Sequence, residues 1–295
     1  MKEIVIISGK GGTGKTSIVA SFAALAGEKA LADCDVDAAD LHLVLNPVIT
    51  YREDFSGGKK ARILKDACVA CDSCIETCRF DAISYKNGGK ITAESVPSVN
   101  PIYCEGCGLC VRICPAEAIA FEPRVNGEYY VSTTKYGPMV HARLGIAEGN
   151  SGKLVSLVRQ KAREIAEKEG LDYVLVDGSP GIGCPVIASI TGADVIVAVT
   201  EPTLSGKHDL LRVSDLAGHF RIPLLVCVNK WDLNPSIAEE IENEARERGA
   251  AVAGRVRYDK AITRAQIEKT TVIEYTNQGA SRDIRALWDM VRAAL

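Results

Sequence analysis

The stretch Glu3–Thr16, EIVIISGKGGTGKT, decides the fold of this 295-residue chain. Its first six residues, Glu3–Ser8, form a short run rich in β-branched side chains, which is typical of a buried strand. The glycine-rich segment Gly9–Thr16 follows directly, and an apolar, helix-compatible segment then continues to Ala26. Strand, glycine loop and helix are the context in which such a loop binds phosphate. The sequence therefore predicts a phosphate-binding loop rather than a glycine turn without a ligand.

The residue types within this loop predict individual roles. Successive backbone N–H groups are expected to surround the phosphates at a helix N-terminus. The Lys15 ammonium is expected to reach the terminal phosphates, and the Thr16 hydroxyl to bind Mg²⁺. The predicted nucleotide-binding residues of the loop are Gly9, Lys10, Gly11, Gly12, Thr13, Gly14, Lys15 and Thr16.

Acidic residues follow two other strand-like runs. The apolar run Leu171–Val176 ends at Asp177, which is predicted to hold Mg²⁺ through water, and Gly181 allows the next turn to act as a switch. The cluster Asp33–Asp37 also lies at a strand end. Within it we expect Asp35 to position the attacking water, a solvated turn being the alternative.

The later part of the chain predicts the fold class. Asp194–Thr200 and Leu224–Val228 are apolar, β-branched runs separated by a polar, helix-compatible stretch. This alternation predicts an α/β fold with a doubly wound, mostly parallel sheet and the nucleotide at the carboxyl ends of its strands. Asn229 follows the last of these strands and is predicted to contact the base. The pattern Asn229, Lys230, Asp232 resembles a guanine-reading motif, whereas Asn229 alone could serve adenine.

Eight of the eleven cysteines form two blocks with the spacing C-x2-C-x2-C-x3-C, and the blocks superimpose at an offset of 36 residues. Such self-similarity indicates a duplicated half-domain. Three closely spaced thiolates suit one 4Fe-4S cluster, while the fourth reaches the other cluster. The predicted first cluster takes Cys68, Cys71, Cys74 and Cys114, and the second takes Cys78, Cys104, Cys107 and Cys110. Two zinc sites are the alternative, although tetrahedral zinc does not need the third spacing.

This segment resembles the bacterial two-cluster ferredoxins, with Arg79 in place of the proline that follows the fourth cysteine. A polar, glycine-containing stretch at Ser56–Lys60 precedes it, and Pro123 marks its end. We therefore predict a small α+β ferredoxin-like domain over residues 59–123. It is inserted into a discontinuous nucleotide-binding domain over residues 1–58 and 124–295.

The composition excludes several functions. The formal net charge is −3, from 35 Lys and Arg against 38 Asp and Glu without a long block of like charge, so no nucleic-acid partner is predicted. Apolar runs such as Val195–Val199 are far shorter than the roughly 20 residues of a membrane-spanning helix. The amphipathic stretch Ile284–Leu295 is predicted to be a packing helix rather than a membrane anchor. We expect a cytoplasmic protein, in which an odd number of cysteines suits metal sites better than disulfides.

The segment Gly9–Thr16, with Lys10 as a second lysine, resembles the deviant Walker A motif of the MinD/Mrp/ParA ATPases. D-C-D at Asp33–Asp35, D-G-S-P-G at Asp177–Gly181 and E-P-T at Glu201–Thr203 extend the resemblance to MinD-superfamily P-loop ATPases with an inserted ferredoxin domain. The resemblance implies an ATP-dependent homodimer, or a heterodimer with a paralogue. In it Lys10 reaches the nucleotide of the partner subunit and joins Lys15 and Asp35 as a catalytic residue.

The expected function is Mg²⁺-dependent ATP hydrolysis coupled to the ferredoxin insert, which gates electron transfer or a redox-dependent interaction with an iron–sulfur or other redox protein. An iron–sulfur cluster carrier and a redox-sensing positioning ATPase are the alternatives, and GTP is the alternative nucleotide. Cys184 follows Asp177 by seven residues, where the nitrogenase iron protein has a cluster ligand. We expect instead a core or switch-packing role for Cys184, with Cys34 and Cys227 as structural residues.

Overall fold

The computed structural model describes residues 1–85, 95–145 and 151–295. Residues 86–94 of the predicted insert and residues 146–150 of the predicted nucleotide-binding domain lie outside the described residues. Two compact units are present. The large unit contains Met1–Glu53, Tyr129–Arg143 and Ser151–Leu295, and the small unit contains the described part of Asp54–Glu128 with Leu144 and Gly145.

The small unit begins five residues before the predicted insert and ends five residues after it, at residues 54 and 128 instead of 59 and 123. Backbone pairing at its two ends explains the difference. The N–H of Asn126 donates to the carbonyl of Phe55 over 2.9 Å, and the N–H of Gly57 donates to Asn126 Oδ1 over 2.8 Å. These contacts are long-range in sequence, so the local composition does not reveal them.

A nine-stranded sheet forms the centre of the large unit. Its strands are β1 (Lys2–Ser8), β2 (Lys29–Asp33), β3 (Val48–Phe55), β8 (Gly127–Thr134), β9 (Gly137–Leu144), β10 (Tyr173–Pro180), β11 (Val195–Thr200), β12 (Leu224–Asn229) and β13 (Ala251–Val256). Their spatial order is β13-β12-β11-β1-β10-β2-β9-β8-β3. The six pairings from β13 to β9 are all parallel. The predicted mostly parallel α/β sheet is therefore confirmed.

Helices pack on the sheet of the large unit. They are α1 (Lys15–Leu25), α2 (Leu41–Leu45), α5 (Ser151–Glu169), α6 (Cys184–Ile190), α7 (Leu204–Phe220), α8 (Pro235–Glu247), α9 (Lys260–Ile267), α10 (Val272–Tyr275) and α11 (Ala280–Ala293). Ile4 and Ile6 of β1 belong to one core cluster with residues of α1 and α11. Val5 and Ile7 are also fully buried, and they point to the opposite face because side chains alternate along a strand. Burial on both faces is what a parallel sheet requires.

The C-terminal helix is a packing helix, as predicted. Ile284, Leu287, Trp288 and Val291 of α11 are buried, and the Trp288 ring lies 5.0 Å from that of Phe22 in α1. Within the described ranges, no helix has the length and apolar character needed to cross a membrane.

The small unit repeats its backbone at the offset seen in the sequence. It contains β4 (Gly58–Ile63), α3 (Ser73–Thr77), β5 (Ile83–Ser84), β6 (Ser98–Val99), α4 (Leu109–Ile113) and β7 (Ile119–Arg124). β4 pairs antiparallel with β7, and β5 with β6. Helices α3 and α4 are 36 residues apart at both ends. Positive φ angles recur at the same offset, in the pairs Ala70 and Gly106, Asp72 and Gly108, and Asp81 and Glu117. The predicted duplication is thus present in the structure.

Candidate functional site

The glycine loop connects β1 to α1 and is supported by β12. Gly12 and Gly14 have φ angles of 81° and 87°, in the left-handed region that favours glycine. A Cβ at Gly14 would lie 2.4 Å from Nδ2 of Asn229. That Nδ2 donates to the carbonyl of Thr13 over 2.7 Å. Asn229, which is predicted to contact the base, therefore also stabilises the loop through this hydrogen bond. Its side chain leaves no room for a side chain at Gly14.

Lys15 joins the loop to the two predicted acidic positions. Its ammonium donates to Oδ1 of Asp177 and lies 3.6 Å from Oδ2 of Asp35. Lys15 and Asp177 are both buried. Although burial opposes the charged form, attraction and hydrogen bonding by Asp177, with further attraction by Asp35 and Asp33, raise the pKa of Lys15. The structure thus places the predicted phosphate-binding lysine, metal ligand and water-positioning residue together.

Negative charge exceeds positive charge around Lys15. Asp33 is fully buried, and its carboxylate accepts the N–H groups of Asp35 and Leu41, both over 3.2 Å. Burial raises the pKa of Asp33 well above its usual range, and Asp177 raises it further. Burial likewise raises the pKa of Asp35, against the attraction of Lys15. One ammonium among three carboxyl groups favours an additional cation at this position.

Two orphaned polar atoms test whether the residues suit Mg²⁺ and phosphate. Asp177 Oδ2 and Thr13 Oγ1 are buried and have no hydrogen-bond partner among the described residues. Buried polar groups are nearly always paired, so both atoms suit a ligand. In the described part of the chain, no three His, Cys, Asp or Glu side chains converge to hold a single metal ion. At phosphates, one or two carboxylates suffice for Mg²⁺, because water and phosphate supply the other ligands.

Lys10 is held by residues that the sequence did not single out as contacts. Its ammonium donates to Oγ of Ser205 over 3.0 Å and lies 3.6 Å from Oε2 of Glu201. Lys230 donates to Oε1 of the same glutamate over 2.5 Å and to the carbonyl of Gly12 over 3.3 Å. Glu201 therefore ties two lysines beside the loop. The sequence feature that could have identified Glu201 is its position in E-P-T, at the end of β11.

A cavity of about 800 Å³ extends from the loop and is large enough for a nucleotide. It is lined by every predicted loop residue from Gly11 to Thr16, by Asp35 and by Asn229. Arg257, Tyr258 and Ile262 also line it, and sequence reasoning missed them. These residues follow β13, so their place after the carboxyl end of a parallel strand could have identified them.

The residue that would read guanine is engaged elsewhere. Asp232 Oδ1 accepts the backbone N–H of Tyr258 over 2.7 Å, and Asp232 does not line the cavity. Asn229 Oδ1 accepts the N–H of Lys230 over 3.0 Å. The N-K-x-D pattern therefore supports the loops around the cavity in this structure.

The segment after Asp177 packs against the glycine loop. Gly181 has a φ of 93°, and its N–H donates to the carbonyl of Ser8 over 2.8 Å. Ser179 Oγ donates to the carbonyl of Cys34 over 2.6 Å, and Cys34 is buried as expected. Cys227 is buried in β12, also as expected. Of the two roles expected for Cys184, the core position is wrong, because this side chain is exposed at the first residue of α6, and the switch-packing role stays a prediction.

The eight cysteines of the small unit line two pockets. The first is lined by Cys68, Cys71, Cys74 and Cys114, and the second by Cys78, Cys104, Cys107 and Cys110. Each pocket thus contains three thiols of one block and the last thiol of the other. The cavities measure about 20 Å³ and 310 Å³. Since a 4Fe-4S cluster binds one thiolate per iron, its ligands line a pocket without converging on one point.

The thiols differ in acidity. Burial and the neighbouring Cys68 raise the pKa of Cys74 to about 11. Burial and Cys104 raise the pKa of Cys110, whereas the Ser73 hydroxyl lowers that of the exposed Cys71. Buried thiols of this kind become thiolates when a metal supplies positive charge. The donor set therefore suits a thiophilic metal centre in both pockets.

The fold and the loop define a P-loop α/β nucleotide-binding protein. The family model described as "CobQ/CobB/MinD/ParA nucleotide binding domain" matches residues 4–272. The chain therefore belongs to this family.

Three proteins show similarity to the chain over different lengths. The chain is 33% identical over 242 residues to the uncharacterized protein MJ0578 of Methanocaldococcus jannaschii, a match covering 79% of each chain. It is similar in fold to the cell division ATPase MinD of Pyrococcus furiosus, with a TM-score of 0.58, 17% identity and coverage of 100% and 99%. A 58-residue region is 34% identical to pyruvate synthase subunit PorD of Methanothermobacter marburgensis, covering 20% of this chain and 59% of the relative.

Proposed function

We propose that this protein is a Mg²⁺-dependent ATPase whose small unit is a ferredoxin-like insert with two 4Fe-4S clusters. Its nucleotide cycle would be coupled to that unit and gate electron transfer or a redox-dependent partner interaction. One observation carries the proposal. The chain that holds Lys15 among buried carboxyl groups also has two pockets with four thiols each, assembled crosswise from two cysteine blocks.

Each residue of the nucleotide site has a chemical task in this proposal. When ATP binds, the Lys15 ammonium would leave Asp177 and Asp35 and bind the terminal phosphates. Both carboxyl groups would then be free. Asp35 then orients the attacking water. Thr16 and Asp177 would hold Mg²⁺, which neutralises charge on the phosphates. The hydroxyl of Thr13, which has no partner among the described residues, would supply a further donor within the loop.

Lys10 is the candidate for action across a dimer. About a third of its side chain is exposed, and its contacts to Glu201 and Ser205 lie within the same chain. Exposed ion pairs contribute only about 0–1 kcal/mol, so these contacts can be exchanged readily. In an ATP-dependent homodimer, or a heterodimer with a paralogue, Lys10 would stabilise charge on the partner's nucleotide.

ATP is the proposed nucleotide rather than GTP. Guanine recognition of the N-K-x-D type needs a free carboxylate, and Asp232 accepts the N–H of Tyr258 instead. The Pyrococcus furiosus neighbour, which is an ATPase, supports the same choice.

The small unit would supply one-electron storage when its clusters are bound. Cys68, Cys71, Cys74 and Cys114 would hold one cluster, and Cys78, Cys104, Cys107 and Cys110 the other. A unit that stores single electrons would need a redox protein as partner to supply or accept them. Eight thiols within one unit favour resident clusters over clusters that are passed on.

The test is ATP hydrolysis by anaerobically purified protein with its clusters oxidised in one sample and reduced in the other. We expect rates that differ between the two states. Cys107→Ala, which removes a predicted ligand, should abolish the difference, whereas Cys184→Ala, which removes an exposed thiol of the large unit, should keep it. Equal rates in both states of the loaded protein would contradict the coupling, and hydrolysis that persists in Lys15→Ala would contradict the assignment of the nucleotide site.

A further inference from the structure

The two cysteine pockets are related by the 36-residue offset but differ in the charges around them. Because the backbones repeat, each residue near one pocket has a counterpart near the other. The N–H of Leu64 donates to the carbonyl of Ala118, and at the same offset the N–H of Asn100 donates to the carbonyl of Ala82, over 2.8 and 2.7 Å. When two residues 36 positions apart differ in side-chain charge, the charge near the two pockets therefore differs as well.

Lys60 lies at the second pocket and has no charged counterpart. Its ammonium donates to the carbonyl oxygens of Pro101 and Cys104, over 2.9 and 2.8 Å. Cys104 lines the second pocket. The residue 36 positions after Lys60 is Val96, which is apolar. In the part of the small unit that the structure describes, a lysine thus binds the backbone of the second cysteine loop and not of the first.

Strand β4 follows the second cysteine loop closely, which gives this contact a rigid basis. A Cβ at Gly106 would lie 2.2 Å from the carbonyl oxygen of Lys59, so only glycine fits there. The ammonium of Lys59 lies 5.5 Å from the centroid of the Phe121 ring, and Phe121 lines the second pocket. The counterpart of Lys59 is the uncharged Ser95.

The charged residues that line the pockets add to the difference. Arg79 and Glu105 line the second pocket, and their formal charges cancel. Among the described residues, the charged one that lines the first pocket is Asp72, whose carboxylate accepts the Tyr85 hydroxyl over 2.5 Å. Counted over the described lining residues and with Lys60 included, the second pocket has a formal charge of +1 and the first has −1.

Reduction adds one negative charge to a cluster, and nearby positive charge stabilises that form. We propose that the pocket of Cys78, Cys104, Cys107 and Cys110 holds the cluster of higher reduction potential, and that Lys60 and Arg79 are the positioning residues that establish this order. The first electron from a low-potential one-electron donor then resides on the cluster of the second pocket. An electron on the cluster of the first pocket is transferred to the cluster of the second. This inference rests on the proposed binding of two clusters.

The experiment is a redox titration followed by electron paramagnetic resonance, with dithionite as the electron donor. Cys71→Ser and Cys107→Ser, both at exposed ligand positions 36 residues apart, assign the two midpoints to the two pockets. In the wild type we expect the midpoint assigned by Cys107→Ser to be the higher one. In Lys60→Met this midpoint should fall, so that the ratio of reduced to oxidised cluster at a fixed potential drops about tenfold, or about 59 mV for one electron.

Arg79→Gln should lower the same midpoint and provides a second variant with an exposed side chain. Arg62→Gln, on the same strand as Lys60 and exposed beside Glu122, is the control and should shift neither midpoint. A higher midpoint at the Cys71 pocket, or an unchanged midpoint in both Lys60→Met and Arg79→Gln, would overturn the inference. Absence of iron and of cluster absorbance in the anaerobic wild-type protein would instead refute the proposed function itself.

Discussion

The large and the small unit bury apolar side chains to very different extents. One core cluster of the large unit alone contains 29 buried residues, including Phe22, Leu175 and Trp288. The core cluster of the small unit contains four buried residues among those described: Ala61, Cys74, Ile83 and Ile119. Five predicted cluster ligands are among its members or direct neighbours: Cys74, Cys78, Cys104, Cys110 and Cys114. Domains with so little apolar burial usually need a metal or disulfides to fold.

The two candidate sites differ in the same way. In the large unit, protein groups already hold the functional side chains, as Asn229 holds the loop and Asp177 holds Lys15. In the small unit, buried thiols such as Cys74 have a raised pKa and need a metal to become thiolates. The large unit therefore builds its candidate site from its own contacts, whereas the proposed cluster sites of the small unit would need a bound metal.

The largest expected effect is the loss of folded structure in the small unit when the proposed clusters are removed. Metal binding to small domains contributes roughly 10 kcal/mol or more of folding free energy. Limited proteolysis followed by mass spectrometry should therefore cut iron-free protein within residues 54–128 and leave the large unit intact. Cys107→Ala should become similarly sensitive, whereas Cys184→Ala should not. Equal resistance of the small unit to protease with and without iron would contradict its proposed dependence on bound metal.

Loss of Lys15 should have the next largest effect, and it is confined to the large unit. Lys15→Ala leaves buried carboxyl groups without their cation, which costs about 3–5 kcal/mol of folding free energy. Urea unfolding is readily followed by fluorescence, because both tryptophans lie in the large unit. ATP turnover should fall at least about 100-fold. Cluster absorbance should be unchanged.

A matched variant sharpens this prediction. Lys15→Arg keeps the positive charge and should recover much of the stability but little of the turnover, since a guanidinium differs in shape from an ammonium. Added Mg²⁺ should partly restore the stability of Lys15→Ala, because a second cation then balances the carboxyl groups. Equal instability of Lys15→Ala and Lys15→Arg would argue against charge balance as the cause.

Acid should destabilise the large unit through His141. Burial and the neighbouring His42 lower the pKa of His141 to about 4, against an ordinary value of 6.5. A depressed histidine pKa means that the unfolded chain binds the proton first, so stability is complete above pH 6.5 and falls as the pH drops towards 4. The loss is at most about 3 kcal/mol.

Tryptophan-monitored urea unfolding between pH 4 and 7 measures this dependence. His141→Gln, which can still bond the Ser132 hydroxyl now 2.9 Å from Nε2, should flatten the curve. His208→Gln, at an exposed position, should leave it unchanged. An unaltered slope in His141→Gln would show that other groups of the large unit bind the protons.

The smallest expected effect concerns the contact between Asn229 and the glycine loop. Gly14→Ala combines a positive φ with a clash against Asn229, and such strain costs about 1–3 kcal/mol. Gly11→Ala should cost less, because a Cβ there meets nothing within 4 Å. In an Asn229→Ala background the cost of Gly14→Ala should shrink, as measured by urea unfolding in a double-mutant cycle. Additive effects would contradict direct contact between the two side chains.

Much of the large unit was predictable because its signals are local. The β-branched runs correspond to β1, β10, β11 and β12, and the acidic residue after one run, Asp177, lies beside Lys15. Alternation of strands and helices permits few topologies, since crossovers between parallel strands have one hand. The contacts of Lys10 with Glu201 and Ser205, and of Asp232 with Tyr258, were not predictable. These contacts join segments that are far apart in the sequence, whereas the periodic patterns of helices and strands extend over only a few residues.

Residue spacing along the chain was enough to identify the types of chemistry available: a glycine loop with two lysines, acids at strand ends, and two repeated sets of four cysteines. These depend on spacing of a few residues, which local backbone geometry converts directly into position. Only the tertiary structure decided which charges pair, which thiol is buried, and that Cys184 is exposed. The reason is that the energy of a charge or a thiol depends on distance and burial. Both are established when segments far apart in the chain pack together.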